Sequence, residues 1–178
     1  MTLIRFDDLN AIPWKNGLGI TREVAVHPHD AGMDDFLWRV SIADVDTASP
    51  FSVFPGVDRT IVLLQGDGFT MTLDGAREHA LTEPCVPFSF PGEASVAVRL
   101  AGGATRDFNL MVRRKGGTAR LEVWQGPLRH EAADDIALMH LARGEARVGG
   151  ESLHTGDTVR GPHEVELLPD AVLLVVRR

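Results

Sequence analysis

The chain has 178 residues, 44% hydrophobic and 24% charged, which suits one globular domain or two small, tightly joined ones and excludes a disordered chain. Its formal charge of −7 comes without any lysine- or arginine-rich run, so a phosphate backbone would be repelled and no nucleic-acid partner is expected. A single cysteine, Cys85, leaves no internal disulfide; with no signal-like apolar run at the start and no membrane-length apolar stretch, a cytoplasmic protein without a membrane partner is expected.

The first element in chain order is a weak helix candidate over residues 5–9. A dense polar segment follows, Pro13-Trp14-Lys15-Asn16-Gly17-Leu18-Gly19-Ile20-Thr21-Arg22-Glu23. Asn16-Gly17 is a turn pair, and Gly19 permits a close backbone approach. Residues 21–26 then alternate as a strand, with Arg22, Val24 and Val26 on one face and Thr21, Glu23 and Ala25 on the other. Residues 38–42 alternate too, setting Trp38, Val40 and Ile42 against Arg39 and Ser41.

Short apolar runs recur at 60–64, 69–73, 95–100, 108–112 and 172–176, punctuated by ten prolines and 18 glycines. Gly66-Asp67-Gly68 reads as a hairpin turn, and Asp74-Gly75 closes a second hairpin. In residues 107–111, Asp107 and Asn109 share a face with Met111. A second helix candidate covers 131–136. Strands this short and frequent predict an all-β sandwich or barrel.

A faint repeat underlies the pattern. Residues 61–68 lead into a strand and Asp74-Gly75, residues 136–144 into a strand and Gly149-Gly150. Each half ends in an apolar strand and paired arginines, Arg113-Arg114 and Arg177-Arg178. The expected division is a larger N-terminal barrel over 1–115 and a smaller one over 116–178.

Two small barrels in one chain raise the cupin jelly roll, many members of which hold a metal. With Gly66 as the last glycine of the usual motif, its glutamate position falls on Arg59, whose nitrogens only donate. No histidine lies between His29 and His79 to supply the His-x-His pair. His27-Pro28-His29 reads as a solvent loop. No phosphate loop, dinucleotide fingerprint or nucleophile elbow occurs, and no metal or other cofactor is expected.

Arg59 shares a strand face with Ile61 and Leu63, and a guanidinium among apolar neighbours needs an anion. The partner is either internal (Glu23, Asp58 or Asp107) or a ligand carboxylate matched bidentately. Lys15 and Asn16 are expected at the barrel mouth, with Lys15, Arg22 and Arg59 as cations, Asn16 and Ser41 as neutral donors and Trp38 as an apolar wall.

The stretches PWKNGLGITREVAVHP, FLWRVSIADV, PFSVFPGVDRTIVLLQGDG and RDFNLMVRR resemble, in order, the motifs of the HutD/Ves family of bicupins. The resemblance implies a double cupin, the first barrel larger, without the usual metal ligands, and an association with bacterial histidine utilisation. The motif positions are Lys15, Asn16, Gly17, Arg22, Glu23, Trp38, Arg39, Ser41, Gly56, Arg59, Asp107, Asn109 and Met111, and all of these except Arg39 and Gly56 are expected to bind the ligand. The expected function is a sensor or regulator of a small carboxylate, N-formylglutamate or a related pathway acid. The alternative is an isomerase or hydrolase with Glu23 or Asp107 as general base. A homodimer through sheet edges is the expected assembly.

Overall fold

The structure, a computed structural model, describes residues 2–14 and 16–178. Apart from one short 3-10 turn, Phe6–Asp8, the described secondary structure is β, as the period-two alternation predicts. Residues 131–135 form no helix; the chain turns there and enters the strand Ile136–Arg143. Among the described residues no helix is long and apolar enough to cross a membrane.

The chain forms two compact units, and their boundary differs from the expected one. Residues 10–118 make one unit; the first nine residues join 119–178 in the other. The reason is pairing: Thr2–Ile4 adds antiparallel to Thr158–Arg160, and Arg5 binds Asp157. Sequence adjacency assigned residues 1–9 to the wrong barrel.

In the larger unit a six-stranded sheet runs Ala11–Pro13, Gly19–His27, Trp38–Val45, Thr105–Arg113, Val57–Gln65, Pro87–Pro91. A three-stranded sheet runs Arg77–Leu81, Phe69–Leu73, Val96–Leu100. Every pairing is antiparallel. A core of Ile61, Leu63, Phe69, Met71, Leu73, Phe90 and Val96 joins the two sheets; burial of each large side chain stabilises the fold by roughly 1.5–3 kcal/mol.

Gly66-Asp67-Gly68 is not the hairpin turn expected from its composition. The strands on either side of it belong to different sheets, so this segment carries the chain from one layer to the other. Gly68 has φ +76°, and a Cβ there would stand 1.9 Å from the Leu81 carbonyl oxygen, a position only glycine fills. Asp74-Gly75 does close a hairpin, between Phe69–Leu73 and Arg77–Leu81.

The other unit repeats the plan with five strands (Thr2–Ile4, Thr158–Arg160, Ile136–Arg143, Val172–Arg177, Arg120–Gln125) and four (Leu128–His130, Val165–Leu167, Glu145–Val148, Glu151–His154). Ile136, Met139, Leu141, Leu153, Val159 and Leu173 form its core.

Candidate functional site

The strand Thr105–Arg113, inside the six-stranded sheet, has a buried face that carries the polar Asp107 and Asn109 beside Met111. Its register sets Met111 between Arg39 and Arg59, Asn109 between Ser41 and Ile61, and Asp107 between Ala43 and Leu63. Side chains of cross-strand partners lie on the same face, so these residues form one floor. On the Ile61–Leu63 side the floor is dry core. Towards Arg39, Ser41, Ala43 and Val45 it opens into a cavity of about 540 Å³, within the roughly 300–1,000 Å³ of small-molecule sites.

The rim comes from two irregular segments. The hairpin between Ala11–Pro13 and Gly19–His27 brings Trp14 and Asn16 to the cavity, and Thr21 follows on the strand. Trp14 Nε1 donates to Thr21 Oγ1 at 2.7 Å. A Cβ on Gly19 would meet the Asp44 carbonyl oxygen at 2.7 Å and the Trp14 ring at 3.0 Å; glycine is what lets the indole lie flat against the strand. Ser49, Pro50, Phe51, Ser52 and Phe54 arrive on the loop between Trp38–Val45 and Val57–Gln65. That loop is tied down where Phe51 N donates to Val96 O (3.0 Å) and Phe54 N to Gly92 O (2.7 Å). Asn16 Nδ2 donates to Ser49 Oγ at 3.0 Å, joining hairpin to loop.

Arg59 dominates the electrostatics. Only 8% exposed, its guanidinium carbon lies 5.0 Å from the Phe51 ring centre, 5.6 Å from Phe54 and 5.0 Å from Phe90. Nη2 donates to Asn109 Oδ1 at 3.1 Å, while Nε is buried without a hydrogen-bond partner among the described residues. Burial lowers its pKa to about 10, opposed by the Asp107 charge and helped by Arg39, so it stays cationic at neutral pH.

Asn109 passes its other end to Asp107: Nδ2 donates to Oδ1, and Oδ2 is buried without a partner among the described residues. Burial raises the Asp107 pKa to about 7 against the Asn109 hydrogen bond and the Arg59 charge, with Asp44 adding to the rise. Of the internal partners considered for Arg59, none makes a direct ion pair. Asp58 pairs with Arg114 (2.8 Å) and Glu23 with Arg39 (2.8 Å), and Asp107 is reached only through Asn109.

Asn16, Ser41, Arg59, Asp107, Asn109 and Met111 line the cavity as the sequence pattern suggested. Gly17, Arg22, Glu23 and Trp38 do not. Gly17, φ +71°, shapes the hairpin. Arg22 faces away, pairing with Asp44, which also holds Arg106 (2.6 Å). Glu23 is 41% exposed and orients Arg39 from outside. Trp38, one residue out of phase with Arg39 and Ser41, stacks on His27 at 5.6 Å. Lys15, also expected in the site, lies outside the described residues.

The lining also holds residues that sequence reasoning did not place there: Trp14, Thr21, Arg39 and Met33, and the loop residues Ser49 to Ser52 and Phe54. Arg39 was recoverable from alternation, since it shares a face with Ser41, whereas the strand mates of Thr21, Glu23 and Ala25, lie outside the lining. The loop has no period and carried no such mark. Among the described residues no three His, Cys, Asp or Glu side chains converge.

Two layered β units, one enclosing an arginine-floored cavity, define a double-cupin-like protein with a small-molecule-sized site. The chain belongs to the HutD family, whose model matches residues 6–172. A Pseudomonas putida protein described as uncharacterised, 21.2 kDa, in the hutC 3′ region, is 38% identical over 83% of this chain and 77% of its own length. Protein Ves of Cronobacter sakazakii is 40% identical over 67% of this chain and 66% of its own. The structure of HutD from Pseudomonas fluorescens SBW25, obtained in a formate condition, superposes with a TM-score of 0.84 at 33% identity, covering 99% of this chain and 98% of that one. A cupin 2 barrel protein from Leptotrichia buccalis (TM-score 0.62, 10% identity, 99% and 95% covered) shows the fold alone.

Proposed function

We propose that the chain binds a small carboxylate in this cavity without a metal and acts as a sensor or regulator in histidine utilisation, with N-formylglutamate or a related pathway acid as ligand. The observation that carries this reading is Arg59, a buried cation in the cavity lining whose Nε is buried without a partner and to which, among the described residues, no carboxylate is paired directly. An Arg edge matches a carboxylate in shape and charge. Arg39, Ser41, Ser52 and Asn16 stand around it as further polar groups, and Met33, Phe54 and Met111 supply the apolar wall. The pathway assignment draws on the hutC-region relative and the HutD neighbour. The protein's overall negative charge does not oppose it, because a local field differs from the net charge.

The test is thermal stability with N-formylglutamate, urocanate, glutamate, formate and divalent metals, with EDTA as control. A ligand at 100 times its Kd adds about 2.7 kcal/mol, a rise of roughly 5–10 °C for a chain of this size. Arg59→Ala is expected to weaken the acid that binds by about 2–3 kcal/mol. A response to metals alone, or affinity untouched by Arg59→Ala, sinks the reading.

One observation favours an enzyme as the second reading. A cavity carboxyl titrating at about 7 is placed to exchange protons at neutral pH. Of the two candidate bases, Glu23 and Asp107, only Asp107 lies in the lining. Turnover of a pathway acid that Asp107→Asn abolishes while binding persists would put the enzyme first.

A further inference from the structure

The floor of the cavity carries a hydrogen-bond relay whose direction is fixed by chemistry. Arginine nitrogens only donate, so Asn109 must present its carbonyl Oδ1 to Arg59 Nη2 and its NH2 to Asp107 Oδ1. Asp107 Oδ1 is therefore an acceptor, and a proton on this carboxyl belongs on Oδ2. Oδ2 is one of two buried floor atoms without a partner among the described residues; Arg59 Nε is the other. Both side chains line the same cavity, on either side of one amide.

Charge sets a further condition. An ionised Asp107 balances Arg59 through Asn109, so an anion entering beside them leaves the buried group with an excess negative charge, which is costly in a low-dielectric site. Taking up one proton restores the balance and turns Oδ2 into a donor.

We propose that Asp107 binds the ligand as a neutral carboxylic acid, its Oδ2–H donating to the same anionic group that Arg59 pairs with, so that each anion enters with one proton. This rests on the carboxylate reading of the cavity and adds a second contact atom and a proton stoichiometry. The charged groups around Asp107 agree with it. Arg59, on the strand to one side, is its nearest compensating charge, and Arg39 lines the far side of the cavity already held by Glu23. Asp44, on the neighbouring strand, disfavours ionisation. Ile61 and Leu63 beside it are apolar core, and the covering loop contributes only Ser, Pro and Phe side chains to the lining. In the empty cavity, burial already holds this carboxyl at about 7.

The probe is formate, an ordinary carboxylic acid that stays ionised from pH 6 to 9, so any slope belongs to the protein. Its Kd is expected to weaken towards tenfold per pH unit above neutrality. Calorimetry at pH 8 in two buffers of different ionisation heat is expected to show uptake approaching one proton per formate. Asp107→Asn, whose amide NH2 donates in place of the hydroxyl but does not titrate, is expected to lose the pH slope and the proton uptake. A flat wild-type profile without proton uptake overturns the proposal while leaving the carboxylate site standing, and so does an Asp107→Asn variant as steep as wild type. The wild-type calorimetry decides the matter alone should the variant fail to fold. If formate and the larger acids bind at no pH, the carboxylate reading falls and this inference with it.

Discussion

Arg59 and Asp107 show how one residue's setting governs another's chemistry. Both are buried, and a single amide stands between them. Folding raises the Asp107 pKa from 3.8 to about 7, so between those values the folded chain holds a proton that the unfolded chain has lost. Stability from this group is complete below about pH 4, falls as pH rises through that window and levels off above it. Asp44, Glu122 and Asp135 act the other way. Burial opposes the fall at Asp44 and Glu122, but hydrogen bonds from Arg22, Arg106 and Arg177 hold all three below the usual carboxylate range, so their contribution is lost on acidification. Urea unfolding of the ligand-free protein from pH 4.5 to 7.5 is expected to show a decline that Asp107→Asn removes, on the order of a few kcal/mol. Equal slopes in the two proteins would remove Asp107 from the account.

At the scale of the element, the hairpin 11–27 decides whether the cavity has a rim. Gly19→Ala drives a methyl group into the Asp44 carbonyl and the Trp14 ring. The expected cost is about 1–3 kcal/mol of stability, with weaker ligand binding as Trp14 and Asn16 shift; denaturant midpoints and a binding titration check both. The strands themselves were legible in the sequence because half-buried sheets impose period two. The Asp107–Asn109–Met111 face and the Arg39–Ser41 face followed from that rule alone. Trp38 shows where a motif misleads: it belongs to the same motif string as Arg39, yet the pleat turns it to the opposite face. Around Glu23 the register shifts between Glu23 and Ala25, and Val24 and Ala25 are both buried, which strict alternation does not foresee. The loop from Ser49 to Phe54 was invisible because its position depends on two backbone bonds to Gly92 and Val96, residues far along the chain.

For the whole molecule, the fold class was written in the punctuation of the chain, but the allocation of its first strand was not. Thr2–Ile4 is short and carries nothing to say that its partner is Thr158–Arg160. Deleting residues 2–9 uncovers that edge and removes the Arg5–Asp157 pair. Such a variant is expected to melt at lower temperature and to self-associate through the exposed strand, while the unit 10–118 keeps its affinity for the acid that binds the full chain. Differential scanning calorimetry and light scattering read the first effect, and a titration below the melting range reads the second.

The split of one unit around the other orders events at the ribosome. Residues 10–118 hold every described residue that lines the cavity, and all of them are translated before residues 119–178. Arg5 must wait for Asp157, 152 positions later. A nascent chain therefore carries every one of these lining residues while its first strand still lacks Thr158–Arg160, the partner that arrives last.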